Sequence, residues 1–300
     1  MTDTLRGAAL MIAAMACFAV EDGFIKALSD AFAPAQIVWM LGLGGAVAFA
    51  LWLIASGQGI WSDHYLRPKV LARSVCEMVG TCFFVSALAL VPLSLASAVI
   101  QATPLVVAGG AALFLGARVG WRRWAAISVG FAGVLLILRP GAVSFDPAIL
   151  LAVGGMLGLA ARDLITRTMP GIVSGPRLSL HAFFGLIPAG LLLQAVLGAP
   201  VLMPDATQFG ILAICVVIGM AAYLAIVAAT RLGDISVVSS FRYSRMLFAL
   251  IVGIAAFGER PDATTLIGVA VVMAAGLYTL IRESRMRVTG LGQTGPVRGR

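Results

Sequence analysis

Four acidic residues, Glu21, Asp22, Glu77 and Asp163, and four basic ones, Lys26, Arg162, Arg242 and Arg245, stand inside stretches of sequence that are otherwise apolar. An ionised side chain at the centre of a membrane-spanning stretch costs roughly 2.5 to 3.5 kcal/mol even on the lenient insertion scale, so each of the eight must face a cavity or a partner. Their equal numbers allow every one of them to pair. The chemistry open to such groups is the binding of a charged substrate, the exchange of a proton, or the stapling and gating of helices.

Asp22 and Lys26 are four apart and share one helix face, as do Arg242 and Arg245 at three apart. Two neighbouring arginines repel unless something anionic lies beside them. Arg242 and Arg245 therefore greet a substrate carboxylate or phosphate, with Ser239, Ser240, Tyr243 and Ser244 as further hydrogen-bonding groups, or are neutralised by Glu77 or Asp163 in a structural cluster. Gln101 and Thr103 precede Pro104, whose ring frees a backbone carbonyl for a ligand or serves packing alone. Trp39, Phe83, Phe84, Tyr223 and His181 are candidates for aromatic walls.

The expected substrate pocket is Gln101, Thr103, Glu77, Trp39, Ser239, Arg242 and Tyr243. Glu21, Asp22, Lys26, Arg162, Asp163 and Arg245 are expected in ion pairs or gates. If a proton is exchanged, Glu77 is preferred, on the expectation that no cation lies within one turn of it.

Other chemistries lack their residues. There is no Gly-rich phosphate loop ending in Lys-Ser or Lys-Thr, no HExxH pair, and His64 and His181 lie far apart, which argues against ATP hydrolysis, a metalloprotease or a haem protein. No cofactor or metal site is expected and no enzymatic activity. Cys17, Cys76, Cys82 and Cys215 lack ligand spacing and read as free, buried, small hydrophobes.

The elements that must position these groups are membrane helices. With 61% hydrophobic and 11% charged residues and a mean hydropathy of +1.03, 300 residues have too little polar surface to face water all round. Apolar windows predict an all-α membrane protein with ten transmembrane helices, near 6–28, 34–56, 70–91, 94–115, 121–138, 147–168, 178–197, 206–229, 235–257 and 263–281. Pro104 and Pro188 fall inside spans and predict kinks. Arg6, Arg67, Lys69, Arg73, Arg118, Arg122, Arg123, Arg167, Arg177, Arg231 and the tail arginines share one side of this topology, which puts both termini in the cytoplasm. The net charge of +8 is thereby explained without a nucleic-acid partner. The partners expected are a small-molecule substrate and the lipid bilayer, with the chain a monomer or weak dimer.

The chain also resembles itself. Glu21-Asp22 followed by Lys26 is echoed by Arg162-Asp163 followed by Arg167, Leu115-Gly116 by Phe257-Gly258, and Gly133-Val134-Leu135 by Gly276-Leu277-Tyr278, all at an offset close to 140 residues. Two halves are expected, residues 1–141 and 142–282, followed by a disordered basic cytoplasmic tail, 283–300. Five spans per half is odd, so the repeats must be inverted, which lets one central site face either side in turn.

Ten spans in two inverted halves, closed by the junctions LGARVGW (115–121) and FGERPDATTLIG (257–268) and opened by RGAALMIAAMACFAVEDGFIKALS (6–29), resemble the EamA-type branch of the drug/metabolite transporter superfamily. Where the second junction has Glu259 and Arg260, the first has Ala117 and Arg118. The resemblance implies a multi-pass carrier of the cell inner membrane with a central cavity between the first, third, fourth, sixth, eighth and ninth spans. Its YddG-type members export aromatic and other neutral amino acids, which is the expectation adopted for this chain. Others carry purines, riboflavin, S-adenosylmethionine, sugar phosphates or lipophilic drugs. A non-transporting scaffold or intramembrane enzyme is the alternative of another class.

Overall fold

The computed structural model describes residues 3–116, 120–141, 145–169, 173–232 and 235–291. Among them are twelve α-helices and one 3₁₀ turn: α1 (Asp3–Leu28), α2 (Pro34–Ala55), α3 (Pro68–Leu90), α4 (Leu93–Ile100), α5 (Thr103–Phe114), α6 (Trp121–Leu138), α7 (Ile149–Arg167), α8 (Gly175–Leu197), α9 (Ala206–Ala229), α10 (Ile235–Ser240), the turn Phe241–Tyr243, α11 (Ser244–Phe257) and α12 (Ala263–Leu291). Ten stretches are long and apolar enough to cross a membrane. The fourth, Leu93–Phe114, is broken between α4 and α5, and the ninth, Val237–Phe257, is broken by the 3₁₀ turn. Every expected span is present, with ends shifted by a few residues. The last helix runs on to Leu291, whereas Ala117, Arg118 and residues 292–300 lie outside the described residues.

Local sequence sets where these helices start and stop. Prolines open α2, α3, α5 and α8, where a missing N–H costs nothing. Asp205 and Gln208 form a reciprocal capping box at the start of α9, at 2.8 and 2.9 Å. Gly198 and Gly258 take the left-handed conformation that ends α8 and α11. The expected break before Pro104 occurs at Gln101–Ala102, while Pro188 is carried within a continuous α8.

The helices lie in close pairs: α2 along α8, α3 along α7, α6 along α12 and α1 along α9. The broken spans pack against α1 and α7, with α11 on α1 and both α4 and α5 on α7. Exchanging each span of the first half with its counterpart in the second turns this set of pairs into itself. Glycines allow the approach: a methyl group on Gly158 would stand 2.6 Å from the Gly80 Cα, and one on Gly133 would stand 3.0 Å from the Gly268 carbonyl. Large apolar side chains such as Phe114, Val196 and Phe209 point outward, where lipid is their solvent.

One end of the bundle is drawn together by polar side chains on backbone. Glu259 accepts from the Leu93 N–H at 2.5 Å and from the Ser94 N–H and hydroxyl at 3.0 and 2.5 Å, capping α4 from the α11–α12 connection. The Lys26 ammonium donates to the Leu88 and Val91 carbonyls at 3.0 and 2.7 Å, filling the open C-terminus of α3. Gln36 makes a reciprocal pair with the backbone of Leu202, and Arg139 bonds to Asp262. The hydrogen bond from Arg139, helped by the Thr265 N–H, holds the Asp262 carboxyl well below the usual carboxylate range. This is the Arg139 end; the opposite one, where α3 begins and α7 stops, is the Arg73 end.

Candidate functional site

A cavity of about 510 Å³ opens between the helix pairs, a size typical of small-molecule sites. On α7, α8 and α9 its lining comes mainly from the half of each helix nearest the Arg73 end, from Thr166, Ser179 and Tyr223 among others, and on α3 it runs from Arg73 past mid-helix to Val85. On α1 and α2 it continues past mid-helix to Ile25 and Val38, and on the two broken spans it lies at the breaks. Its walls are largely aromatic and aliphatic, with Phe18, Phe49, Phe84 and Phe183 around it. Phe49 stacks on Phe183 at 5.6 Å and meets Tyr223 edge-on at 5.2 Å, so this side of the cavity is a preassembled aromatic surface.

The ionised groups fall into two clusters on its wall. In the first, Glu77 lies between two arginines, Arg73 at 2.6 Å and Arg162 at 3.0 Å, and Arg162 also holds Asp163 at 2.8 Å. This corrects the expectation that Glu77 has no cation within a turn: Arg73, four residues before it, sits on the same helix face and reaches its carboxylate. In the second, Arg245 binds Asp22 at 2.6 Å, with the guanidinium 5.3 Å from the Phe18 ring centre and 5.9 Å from that of Phe84. The two clusters join α3 to α7 and α1 to α11, which are lengthwise neighbours in the fold.

Glu21 departs from the ion pairing expected of it. One residue from Asp22, it points about 100° around α1, toward α9 instead of α11. A methyl group on Gly219 would stand 2.5 Å from its Oε1. Among the described residues no cation stands within ion-pair distance of it. Lys26 is also unlike its expected pairing with Asp22, since it spends its donors on α3 carbonyls.

Of the pocket residues read from the sequence, Gln101, Thr103, Glu77, Arg242 and Tyr243 line the cavity, while Trp39 and Ser239 do not. The two breaks meet: the Gln101 side-chain amide donates to the Arg242 carbonyl at 3.1 Å, joining the irregular turns of the fourth and ninth spans. Broken helices with freed backbone are found in membranes where a cavity is lined. The Arg242 guanidinium is exposed, with no carboxylate in ion-pair distance among the described residues. Tyr243 is buried, its hydroxyl pressed against Gly276 of α12, and Thr103 bonds back to the Ile100 carbonyl at 2.5 Å. Trp39 bonds Gln194 across the α2–α8 pair at 2.7 Å. Of the aromatic candidates Phe84 and Tyr223 line the cavity, Phe83 packs on Gly154, and His181 bonds Ser74 at 2.7 Å under Tyr65.

Sequence reading missed Arg73, Phe49, Phe183 and Ser179 as lining residues. Only Arg73 carried a signal, its spacing of four from Glu77.

Residues 5–139 match the EamA-like transporter family. A riboflavin transporter of Rhizobium johnstonii is 31% identical over 245 residues, covering 81% of this chain and 80% of that protein. An S-adenosylmethionine uptake transporter of Rickettsia bellii is 24% identical over 220 residues, 73% of this chain and 75% of its own. One crystal structure, 18% identical, superposes with a TM-score of 0.63 over 93% of this chain and 98% of its own, a likeness of fold.

Proposed function

Because the chain belongs to the EamA-like transporter family, we propose that it carries one small metabolite at a time across the cell inner membrane by alternating access through the cavity. The halves 1–141 and 142–282 act as inverted repeats. Support comes from the helix pairs, which are unchanged when the halves are exchanged, and from the odd number of spans in each. Both termini are cytoplasmic by the distribution of Lys and Arg, so the Arg73 end, toward which the cavity extends, faces the cytoplasm.

The substrate has an amino-acid head on an aromatic or apolar body, and the direction is export. The observation that carries this reading is Arg242, exposed in the cavity with no carboxylate in ion-pair distance among the described residues, in a chamber walled by Phe49 and Phe183. A guanidinium facing the cavity without a counter-ion recruits one from the ligand, and a carboxylate fits its fork. The carboxylates of the cavity wall offer a place for the ammonium, and the aromatic surface for the body.

A second reading, a larger cationic metabolite or drug, is favoured by Glu21, a carboxylate on the same cavity that has no cation within ion-pair distance among the described residues. The relatives named for riboflavin and S-adenosylmethionine show that such sizes occur in closely similar chains.

The test is flux into proteoliposomes of Trp, Phe, Met, Thr, their decarboxylated amines, riboflavin, S-adenosylmethionine and tetraphenylphosphonium. The amino-acid reading expects the acids to move and Arg242→Ala to weaken them while sparing the amines. Flux of riboflavin or cations alone moves the assignment to the second reading, and flux of nothing counts against a carrier.

A further inference from the structure

Every cavity carboxylate but one has an arginine beside it: Asp22 has Arg245, Glu77 has Arg73 and Arg162, and Asp163 has Arg162. The exception among the described residues is Glu21. Resting on the carrier reading above, we propose that Glu21 is the coupling site of the transport cycle, where a proton and an organic cation of the substrate, ammonium or sulfonium, bind in turn.

Three features of its setting converge. Glu21 sits on α1 seven residues before its end, about 10 Å inside the helix at 1.5 Å per residue, so its carboxylate lies well within the span. At that depth an ionised group without a partner carries the full cost of burial, and a proton or a bound cation relieves it. Gly219 of α9 leaves the space the carboxylate occupies, since any side chain there would collide with it. The carboxylate is therefore fitted into the wall of the cavity without being consumed by it.

The neighbours leave the role to Glu21. On α1 itself Asp22 is held by Arg245 of α11. On α9 the ionisable groups are Cys215, one turn from Gly219, and Tyr223 near the Arg73 end; both are neutral donors and neither compensates a carboxylate. On α3 Glu77 is already enclosed between Arg73 and Arg162. The 3₁₀ turn offers Arg242, outside ion-pair distance among the described residues, while α4 and α10 carry no charged side chain.

The exchange balances in charge. The cavity carries four arginines, Arg73, Arg162, Arg242 and Arg245, against four carboxylates. With Glu21 protonated the set has one excess positive charge, which suits an entering carboxylate at Arg242. When a substrate cation reaches Glu21, its O–H bond breaks, the proton passes to water on the open side, and the carboxylate pairs with the cation. Release on the other side reverses this, so one proton moves inward for each cation moved outward.

The experiment uses the full chain in lipid. Infrared difference spectra across a pH titration, without any ligand, are expected to show a protonated-carboxyl stretch in the wild type and in Glu77→Gln that is missing from Glu21→Gln. Persistence of the band in Glu21→Gln, or no band in the wild type, overturns the proposal even if no solute is transported. In proteoliposomes, the extra accumulation of tetraphenylphosphonium or Trp driven by a pH gradient should be lost in Glu21→Gln, down to the gradient-free level. Glu77→Gln, whatever its rate, should keep the ratio of driven to undriven transport. Wild-type flux indifferent to the gradient overturns the coupling site while leaving the carrier intact.

Discussion

At the scale of single residues, Glu77 shows how a charge placed in a membrane is fixed by its neighbours. Its two oxygens face Arg73 and Arg162, and Arg162 in turn holds Asp163. Removing its charge leaves Arg73 without its carboxylate and Arg162 with Asp163 alone. Breaking a buried pair from one side costs about 3 kcal/mol or more, because the remaining charge is stranded. Glu77→Gln should therefore lower unfolding stability in detergent by about 3 kcal/mol, and a loss within experimental error would show that water already solvates the cluster. That eight ionised residues must be paired or face a cavity follows from their apolar context alone. Which pairs with which does not: Asp22 meets Arg245 only because α11 lies on α1, a neighbour relation invisible in a single sequence. Arg73 was within reach, since a spacing of four identifies helical neighbours, but its place at the start of a span made it read as a loop charge that sets topology.

At the scale of elements, the breaks in the fourth and ninth spans were unequally legible. Pro104 announces the first, whereas Phe241-Arg242-Tyr243 contains no helix breaker, and its 3₁₀ turn lies where Gln101 reaches the Arg242 carbonyl. Trp39 and Ser239 were readable as polar or aromatic groups within spans, yet the face each presents depends on the α2–α8 pair and on α10, which spacing does not fix. The Arg139 end was the least legible, because its latches join side chains to the backbone of distant helix ends. Among them the Arg139–Asp262 pair makes a prediction in pH. Its partners lower the Asp262 pKa in the folded protein, so the contribution of this pair is complete above the unfolded value near 3.9 and is lost as pH falls through the folded one. The melting temperature of the wild type should exceed that of Asp262→Asn by a constant margin from pH 7 to about 4 and converge with it in stronger acid. A margin that instead vanishes between pH 8 and 6 would assign it to another group.

At the scale of the whole molecule, the question is whether the latched end seals the path. A carrier must never be open at both ends at once, whereas a channel is. The cavity extends toward the Arg73 end, and at the other end Glu259 ties the α11–α12 connection to α4 while Lys26 ties α1 to α3. Ten spans were legible from length and hydropathy, but the sense in which the bundle stands open was not, since neither length nor hydropathy distinguishes the two ends of a cavity. Val85, on the cavity wall in the half of α3 nearest the Arg139 end, reads that state directly. In a chain whose four native cysteines are replaced, Val85→Cys should react with a membrane-impermeant thiol reagent added on the cytoplasmic side and resist the same reagent added outside. Adding Glu259→Ala, which leaves the Leu93 and Ser94 N–H groups without their acceptor, should open a second route and raise labelling from the outside. Equal labelling from both sides with the latch intact would mean a pore, and labelling only from outside would reverse the proposed orientation. Labelling from the cytoplasm alone, lost on adding a transported solute, is the signature of one binding site that faces one side at a time.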